Sequence, residues 1–358
     1  MHIRSNHIIR GAFAAIAAVS LFSAIGSAHA LVSAEGNDYT VIKTTKVGGD
    51  GGFDYVYADS AGRKLYIARG GKTARVAAYD LDTLKSAGEI TDTNARGAAV
   101  DAQSHHGFSS SSPVAMWDTQ TLKVIKTIPV EGRPDGILAD SFNHRVYIFS
   151  HAAPNVTVID AASGAICGTI DLGGAPEQAA SDGKGKIYVD IEDKDSVAVI
   201  DAKTMKVATT YTLGGKGGGN AGLALDAKNH VLYVACREPQ AMVMLDATTG
   251  KYLADVPIGR GCDGAVYDPV NKVCLSSQGD GTLTVIKQTG PTAFNVEQTV
   301  KTMVGAKTCT LDSKTGHILL IAAEYGPAPA GQQSNGRPAR GAMVPGSFSI
   351  IEVARSKK

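Results

Sequence analysis

The sequence has few aromatic residues and no excess of either charge. Aromatic residues make up 6% of the 358 residues, and the formal net charge is +1. Nucleic-acid surfaces and sites for anionic membranes usually carry a clear basic excess, often with interleaved aromatic rings, so no strong nucleic-acid signal is present. After residue 30, no apolar run approaches the roughly 20 residues that a membrane-spanning helix needs. No membrane span is therefore expected in the mature chain.

Motifs of the common catalytic and cofactor sites are also absent. The chain contains no Gly-x-Ser-x-Gly, no His-Glu-x-x-His and no Cys-x-x-Cys-His. The glycine-rich stretch at residues 214–219 lacks the Lys-Ser/Thr ending of a phosphate-binding loop. The sequence therefore predicts no serine nucleophile, no bound haem and no nucleotide loop, and it assigns no catalytic residue.

Residues 1–30 have the features of a cleavable export signal. Arg4 and Arg10 belong to a basic lead, the run from Ala12 to Ile25 is apolar, and the segment ends at Ala30 in a small-x-small pattern. The apolar run is too short to span a bilayer. We therefore expect cleavage after Ala30, and a single domain at residues 31–358 located in the periplasm.

A unit of about 40 residues recurs along the rest of the chain. In its clearest copy, Lys186–Asp190, Val197–Asp201 and Lys206–Tyr211 are short runs of β-branched and aromatic residues separated by turn residues. An aspartate ends the first strand of each unit, at Asp59, Asp101, Asp140, Asp182, Asp226, Asp268 and Asp312. This spacing is typical of four-stranded propeller blades. The sequence thus predicts an all-β fold, a seven-bladed β-propeller with antiparallel blades.

Three segments depart from the repeat. Asn37–Val47 matches a fourth strand and Ser347–Val353 a third strand, so we expect both to join one blade that closes the ring. Gly107–Pro113, in blade 2, has lost the Leu-Tyr-Val core, so looser packing is expected there. Gly326–Gly346, rich in Pro and Gly, is expected to be a loop insertion between the second and third strands of the closing blade.

The repeat resembles a known one. Its elements Gly-x-x-x-Asp, Leu-Tyr-Val-Ala, Val-x-Val-Ile-Asp and Thr-Ile-x-x-Gly resemble the YVTN-type β-propeller repeat, most clearly in Lys186–Val207, Ser276–Ile286 and Ala322–Val353. From Tyr39 to Val353 the chain is similar to the YncE-like family of exported bacterial proteins. The resemblance implies the propeller fold and export. Function must be argued from the site, because propellers host unrelated functions.

Polar loop residues are the candidates for ligand binding. In a propeller, the loops between blades and those between second and third strands share one face around the channel, where ligands usually bind. Our candidates on this face are Asp54, Arg69, Arg96, Arg133, Asp135, Glu177, Glu192, Asn220, Arg237, Asp263, Lys307, Glu324 and Arg337. The alternative for each single residue is that it is polar because loops are polar, or that it caps backbone groups of a turn. As a ring they suit a small polar or anionic ligand.

Histidines give little sign of a metal site. His105, His106, His144, His230 and His317 all precede the second strand of their units, which predicts turns on the opposite face. Only His151 falls on the ligand face, and no paired ligand motif accompanies it. A transition-metal enzyme is therefore not predicted. A divalent cation such as calcium, held by Asp or Glu oxygens, is compatible with the sequence.

The five cysteines are odd in number, so at least one has no partner within the chain. Cys236 ends a second strand and Cys262 opens the next blade, on the same rim. We therefore favour a Cys236–Cys262 disulfide, with Cys309 as the competing partner for either. Cys167 is placed on an outer strand, and Cys274 replaces a core tyrosine.

Three functions are compatible with these observations. We favour a non-catalytic periplasmic binding or interaction propeller that holds a small polar ligand or a protein partner. The alternatives are a metal-assisted hydrolase of the lactonase type and an accessory subunit of a periplasmic redox enzyme that carries no haem itself.

Overall fold

The computed structural model describes residues 38–328, 333–334, 337–338 and 341–356. In this part of the chain, seven four-stranded antiparallel sheets are arranged as blades in a ring. The predicted seven-bladed propeller is therefore confirmed. The predicted export signal, residues 1–30, lies outside the described residues.

The first strand in the chain, β1 (Tyr39–Lys46), belongs to the last blade. Blade 1 follows as β2 (Phe53–Asp59), β3 (Lys64–Arg69), β4 (Arg75–Asp80) and β5 (Ser86–Thr91). Blade 2 contains β6 (Ala98–Asp101), β7 (His106–Ser109), β8 (Val114–Asp118) and β9 (Val124–Ile128). Blade 3 contains β10 (Pro134–Asp140), β11 (Arg145–Ser150), β12 (Val156–Asp160) and β13 (Ile166–Ile170).

The next three blades repeat this order. Blade 4 contains β14 (Pro176–Ser181), β15 (Lys186–Ile191), β16 (Ser196–Asp201) and β17 (Lys206–Thr212), with a 3-10 turn at Glu192–Lys194. Blade 5 contains β18 (Asn220–Asp226), β19 (Val231–Cys236), β20 (Ala241–Asp246) and β21 (Tyr252–Pro257). Blade 6 contains β22 (Cys262–Asp268), β23 (Val273–Gln278), β24 (Thr282–Gly290) and β25 (Ala293–Lys301).

Both ends of the described chain build the closing blade. Its strands are β26 (Cys309–Asp312), β27 (His317–Ala322) and β30 (Ser349–Arg355), and β1 pairs with the outer side of β30. The β1–β30 register runs from Tyr39 opposite Arg355 to Lys46 opposite Ser349. Between β27 and β30, the predicted insertion contains a two-residue pair, β28 (Gln333–Ser334) with β29 (Arg337–Pro338). The predicted closure of the ring by both termini is confirmed.

The core lies between the blades. Every residue of β19 is buried, whereas in the outer strand β21 of the same blade only Val256 is buried and the other residues are exposed or partly buried. Val197 and Val199 of blade 4 cluster with Leu232 and Val234 of blade 5. Because sheets stack face to face, each fully buried Val or Leu contributes about 1.5–3 kcal/mol to folding. This packing fixes the angular position of each blade around the channel.

The repeated aspartates cap turns and link neighbouring blades. Asp226 Oδ1 accepts hydrogen bonds from the backbone N–H groups of Lys228 (3.0 Å) and Asn229 (3.1 Å), while Tyr267 of the next blade donates to its Oδ2 (2.5 Å). The adjacent His230 has a φ of +56°, and His144 of +52°, in the turns before β19 and β11. These histidines serve turns, as the sequence predicts.

Blade 2 does not have the looser packing expected from its sequence. Gly107 leaves room for the ring of Trp117, its partner on β8, which is fully buried. A Cβ at residue 107 would lie 2.2 Å from Trp117 Cε2. The indole also packs against Tyr66 of blade 1, with ring centroids 5.6 Å apart. One large side chain therefore fills the volume that the missing Leu-Tyr-Val segment fills elsewhere.

Candidate functional site

A polar pocket of about 540 Å³ lies at one mouth of the central channel. Loops between blades and loops after second strands meet here. They do so because the first strand of a blade begins where its antiparallel neighbour, the second strand, ends. In blade 3, for example, Pro134 pairs with Ser150, which places Asp135 and His151 at the same edge. The charged residues that line the pocket are Asp54, Arg96, Arg133, Asp135, Glu177, Arg237, Asp263 and Lys307, joined by Tyr55, Pro134 and His151. The structure thus brings together eight of the thirteen predicted ligand-binding residues.

Most of the cations in the pocket form ion pairs that cross from one blade to another. The Arg237 guanidinium donates to both Glu192 and Asp263. Lys307 Nζ donates to Asp263 and lies 3.7 Å from Asp54. Because each group belongs to a different blade, these pairs help to fix the shape of the channel mouth.

Arg96 continues the chain of ion pairs. Its Nη1 donates to Asp54 Oδ2 at 3.0 Å, and its Nε lies 3.9 Å from Asp135 Oδ1. Arg133 differs from these cations. It is exposed at the rim, and among the described residues no ion pair or hydrogen bond holds its guanidinium. Its charge is therefore available to a ligand.

Glu177 is one of the buried carboxylates of the pocket. Its side chain is 9% exposed, and Tyr55 donates a hydrogen bond to Oε2 at 3.0 Å. Burial, followed by the nearby carboxylates of Asp263 and Asp135, raises the pKa of Glu177 to about 9. Burial also raises the pKa of Asp135, and the nearby carboxylate of Asp54 raises it further. Glu177 therefore holds its proton more tightly than an ordinary glutamic acid does.

Three groups converge at one side of the pocket. His151 Nε2 lies 3.5 Å from Asp135 Oδ2 and 3.5 Å from Glu177 Oε1, and it is buried without a hydrogen-bond partner. One ligand atom from each of the three residues lies within 4.8 Å of the others. This set is of the type that holds a metal ion.

A wider groove of about 770 Å³ adjoins the pocket. It shares Arg237, Asp263 and Lys307 with the pocket and continues past Arg260 and Asp280. The polar surface therefore extends from the channel mouth over the rim of blades 5 and 6.

Five of the predicted residues lie outside this pocket. Glu192 stands behind Arg237, and Asn220 is buried, where its Nδ2 donates to Asp190 Oδ1 (2.9 Å) and to the Ser196 carbonyl (3.0 Å). Glu324 forms an exposed ion pair with Lys46 at 3.3 Å. Arg69 is fully buried and bonded to backbone carbonyls. Arg337 lies on β29, and its side chain falls outside the described part of the structure.

All five cysteines lie among the described residues, and all are free thiols. The Cys236–Cys262 disulfide that we expected is therefore not formed in the structure. The Cys236 thiol instead donates to the Val234 carbonyl of its own strand at 3.6 Å. Burial raises the pKa of Cys236 and brings that of Cys262 to about 12, so both remain protonated core groups.

Sequence reasoning missed two residues that shape the site. Tyr55 orients Glu177, as described above. Gln178 Oε1 accepts hydrogen bonds from the N–H groups of Leu223 (2.9 Å) and Ala265 (3.0 Å), and its Nε2 donates to the Ala265 carbonyl (3.1 Å). It ties together the first strands of blades 4, 5 and 6. In the sequence, Tyr55 and Gln178 directly follow the candidates Asp54 and Glu177, and this position was the one feature that could have indicated them.

No helix in the described residues is both long enough and apolar enough to cross a membrane.

Comparison with known proteins supports the resemblance. No protein-family model matches the sequence. Two curated relatives, each called uncharacterized protein YncE and found in Salmonella typhi and Salmonella typhimurium, are 26% identical over 190 residues, or 51% of this chain. The chain spans about half the length of these relatives, 53%.

Among solved structures, a chain in a crystal structure of the mitotic checkpoint complex superimposes with a TM-score of 0.68. The match covers 89% of this chain and 96% of that chain at 12% identity, which shows the fold alone. The chain is therefore a seven-bladed β-propeller that is similar in sequence, over about half its length, to YncE.

Proposed function

We propose that this protein is a non-catalytic binding propeller, and that its channel-mouth pocket takes a small polar ligand with an anionic group. The proposal depends on the state of the Arg133 guanidinium. The other three cations of the pocket are paired with carboxylates, whereas this guanidinium stands at the rim without a partner among the described residues.

The chemistry of the lining supports a ligand of this class. A guanidinium presents a planar fork that matches carboxylate or phosphate oxygens in two parallel hydrogen bonds. Around it, the pocket is dominated by charged groups rather than by apolar side chains. A polar ligand therefore finds donors and acceptors here, while an apolar ligand finds little surface to cover.

A thermal-shift screen of the protein from residue 31, followed by calorimetric titration, tests the proposal. The probes are small carboxylates, sugar acids and inorganic phosphate, with neutral sugars as a reference. A ligand at a hundred times its dissociation constant raises stability by about 2.7 kcal/mol. We expect Arg133→Ala to abolish the shift.

Arg145→Ala is the matched control, because Arg145 begins β11 at the opposite rim. Equal losses in both variants would contradict the proposed site. Binding that survives Arg133→Ala would contradict it as well. If no small molecule binds at all, a periplasmic protein partner becomes the better candidate, and co-purification from periplasm tests it.

The composition of residues 1–30 supports a periplasmic location for this binding. We expect protein recovered from the periplasmic fraction to begin at Leu31 by N-terminal sequencing. Full-length protein retained in the cytoplasm would contradict this expectation.

A hydrolase of the lactonase type is the second candidate, and the convergence of His151 with Asp135 and Glu177 favours it. A cation site with a neighbouring carboxylate base is what metal-assisted hydrolysis needs. Turnover of simple lactones that is lost with a chelator would support it. No observation in the described residues favours the accessory redox subunit.

A further inference from the structure

We propose that Asp135, His151 and Glu177 form a binding site for a divalent transition-metal ion, for which zinc is the simplest probe. The positions of these three side chains define the site. It stands whether or not the pocket binds the anionic ligand proposed above.

The two distances from the imidazole fit tetrahedral coordination. In a tetrahedral site, zinc bonds of about 2.0–2.2 Å hold neighbouring ligand atoms about 3.3–3.6 Å apart. His151 Nε2 lies 3.5 Å from Asp135 Oδ2 and 3.5 Å from Glu177 Oε1. The buried Nε2 nevertheless makes no hydrogen bond to either oxygen. A buried nitrogen placed equally far from two carboxylate oxygens is better explained by a shared ion than by a missing hydrogen bond.

The other oxygen of Glu177 accepts a hydrogen bond, and the other oxygen of Asp135 has a long ion-pair contact. Tyr55 donates to Glu177 Oε2 at 3.0 Å, and Arg96 Nε lies 3.9 Å from Asp135 Oδ1. Glu177 Oε1 and Asp135 Oδ2 are thereby left directed towards His151. Partners of this kind orient metal ligands, and their loss typically lowers metal affinity by about 10–100-fold.

The nearby cations are engaged elsewhere. Lys307 and Arg237 donate to Asp263, and the shortest contact of Arg96, at 3.0 Å, is with Asp54. None of the three makes a hydrogen bond to Glu177 Oε1 or Asp135 Oδ2. In the described chain, the two oxygens that face the imidazole therefore accept no hydrogen bond from these cations.

The donor set selects the class of ion. An imidazole nitrogen with two carboxylate oxygens suits zinc and other first-row transition metals, whereas calcium takes six to eight oxygen ligands. The sequence left calcium open, but a histidine at the centre of the cluster argues against it. With three protein ligands, a fourth position remains for water or a ligand in the pocket.

Calorimetric titration of chelator-treated protein with zinc chloride, together with elemental analysis, tests the proposal. We expect one zinc per chain. His151→Ala should weaken zinc binding at least a hundredfold, and Glu177→Gln should do the same because an amide is a poor metal ligand. Tyr55→Phe, which removes only the hydroxyl that orients Glu177, should weaken it about tenfold. The cobalt-loaded protein should show the visible absorption of a tetrahedral site.

His144→Asn is the matched control. His144 Nδ1 lies 2.9 Å from Asp101 Oδ1 on the far rim, and His144 belongs to no cluster of three ligands among the described residues. Asparagine tolerates its left-handed backbone. Zinc binding that is unaffected by His151→Ala, or absent from the parent protein, overturns the proposal. So does calcium binding with the same dependence on these residues. Loss of zinc with retained Arg133-dependent ligand binding leaves the proposed function intact.

Discussion

The guanidinium of Arg69 lies fully buried under the loop that leads from β1 to β2. It donates to the carbonyl oxygens of residues 48–52 at 3.0–3.3 Å. On its other side it packs over the ring of Phe348, 3.7 Å from the ring centroid. Burial, with a smaller effect of Arg75, lowers the pKa of Arg69 to about 10, yet the group stays charged at neutral pH. Arg69 thus holds a loop rather than a ligand.

Arg69→Met is expected to lower the free energy of unfolding by about 3 kcal/mol, because five loop carbonyls lose their charged donor. Arg69→Lys should not restore stability, since one ammonium group cannot reach all five carbonyls. Urea denaturation measures both, with Trp117 fluorescence as the probe. Arg260→Met, at an exposed position, serves as the control. A lysine variant as stable as the parent would refute this role.

Asp312 gives the protein an acid-sensitive contact. Burial alone would raise its pKa, but hydrogen bonds from Arg63 and Thr315 outweigh burial and lower the pKa to about 2. Arg63 Nη1 donates to Asp312 Oδ1 at 2.8 Å and so joins blade 1 to the closing blade. Because the folded-state pKa lies below the unfolded value, this stabilisation is present above about pH 4 and is lost as the pH falls towards 2.

Asp312→Asn is expected to cost about 2 kcal/mol of unfolding free energy at pH 7 and almost nothing at pH 2. Urea titrations across this range measure the difference. The control is Asp82→Asn, which removes the exposed partner of the same arginine and should cost less than about 1 kcal/mol. A loss in Asp312→Asn that does not change with pH would show that the charge is not the cause.

At the scale of single strands, β7 and β8 show how the repeat tolerates a lost core. Gly107 sits under the indole of Trp117, and the indole fills the space between blades 1 and 2. The sequence shows the missing Leu-Tyr-Val segment, but it does not show that a side chain on the neighbouring strand replaces that volume. Such compensation depends on cross-strand pairing, which a strand-by-strand comparison of repeats does not detect.

Gly107→Val, which makes blade 2 more like the other repeats, is therefore expected to destabilise the protein. The new side chain overlaps the Trp117 ring, and overpacking of this kind typically costs about 1–3 kcal/mol. Because Trp117 is the one tryptophan of the chain, a red shift of the intrinsic fluorescence reports its displacement. Gly52→Ala is the control, since no heavy atom lies within 4 Å of the added Cβ. A more stable valine variant would contradict this account of blade 2.

For the molecule as a whole, the sequence predicts the ring well and the site in part. The repeated aspartates set the number of blades, and the order of the loops brings eight candidates to one pocket. Arg69 ends a second strand and Asn220 opens a first strand, but their side chains turn into the protein and bind backbone carbonyls and, for Asn220, a buried carboxylate. Loop position predicts the face of the propeller. It does not predict whether a side chain points into the channel.

Ring closure gives a prediction at the same scale. A chain that starts at Gly48 lacks β1 and leaves the outer edge of β30 unpaired, and unpaired edges promote association. We expect lower stability and self-association, measured by urea denaturation and by light scattering after gel filtration. The double variant Val41→Thr, Ile42→Thr keeps β1 while reducing its exposed apolar surface, and it should remain monomeric. A stable monomer without β1 would contradict the role of this strand.

The β1–β30 pair also determines how the protein responds to mechanical force. Tyr39 lies opposite Arg355, so the two ends of this antiparallel pair emerge side by side. Tension applied between them pulls the strands apart from one end and loads their hydrogen bonds one after another, rather than all together as in shear. When the pull is applied at Tyr39 and Arg355, the blade that completes the propeller is consequently the mechanical weak point, and it opens before any other blade yields.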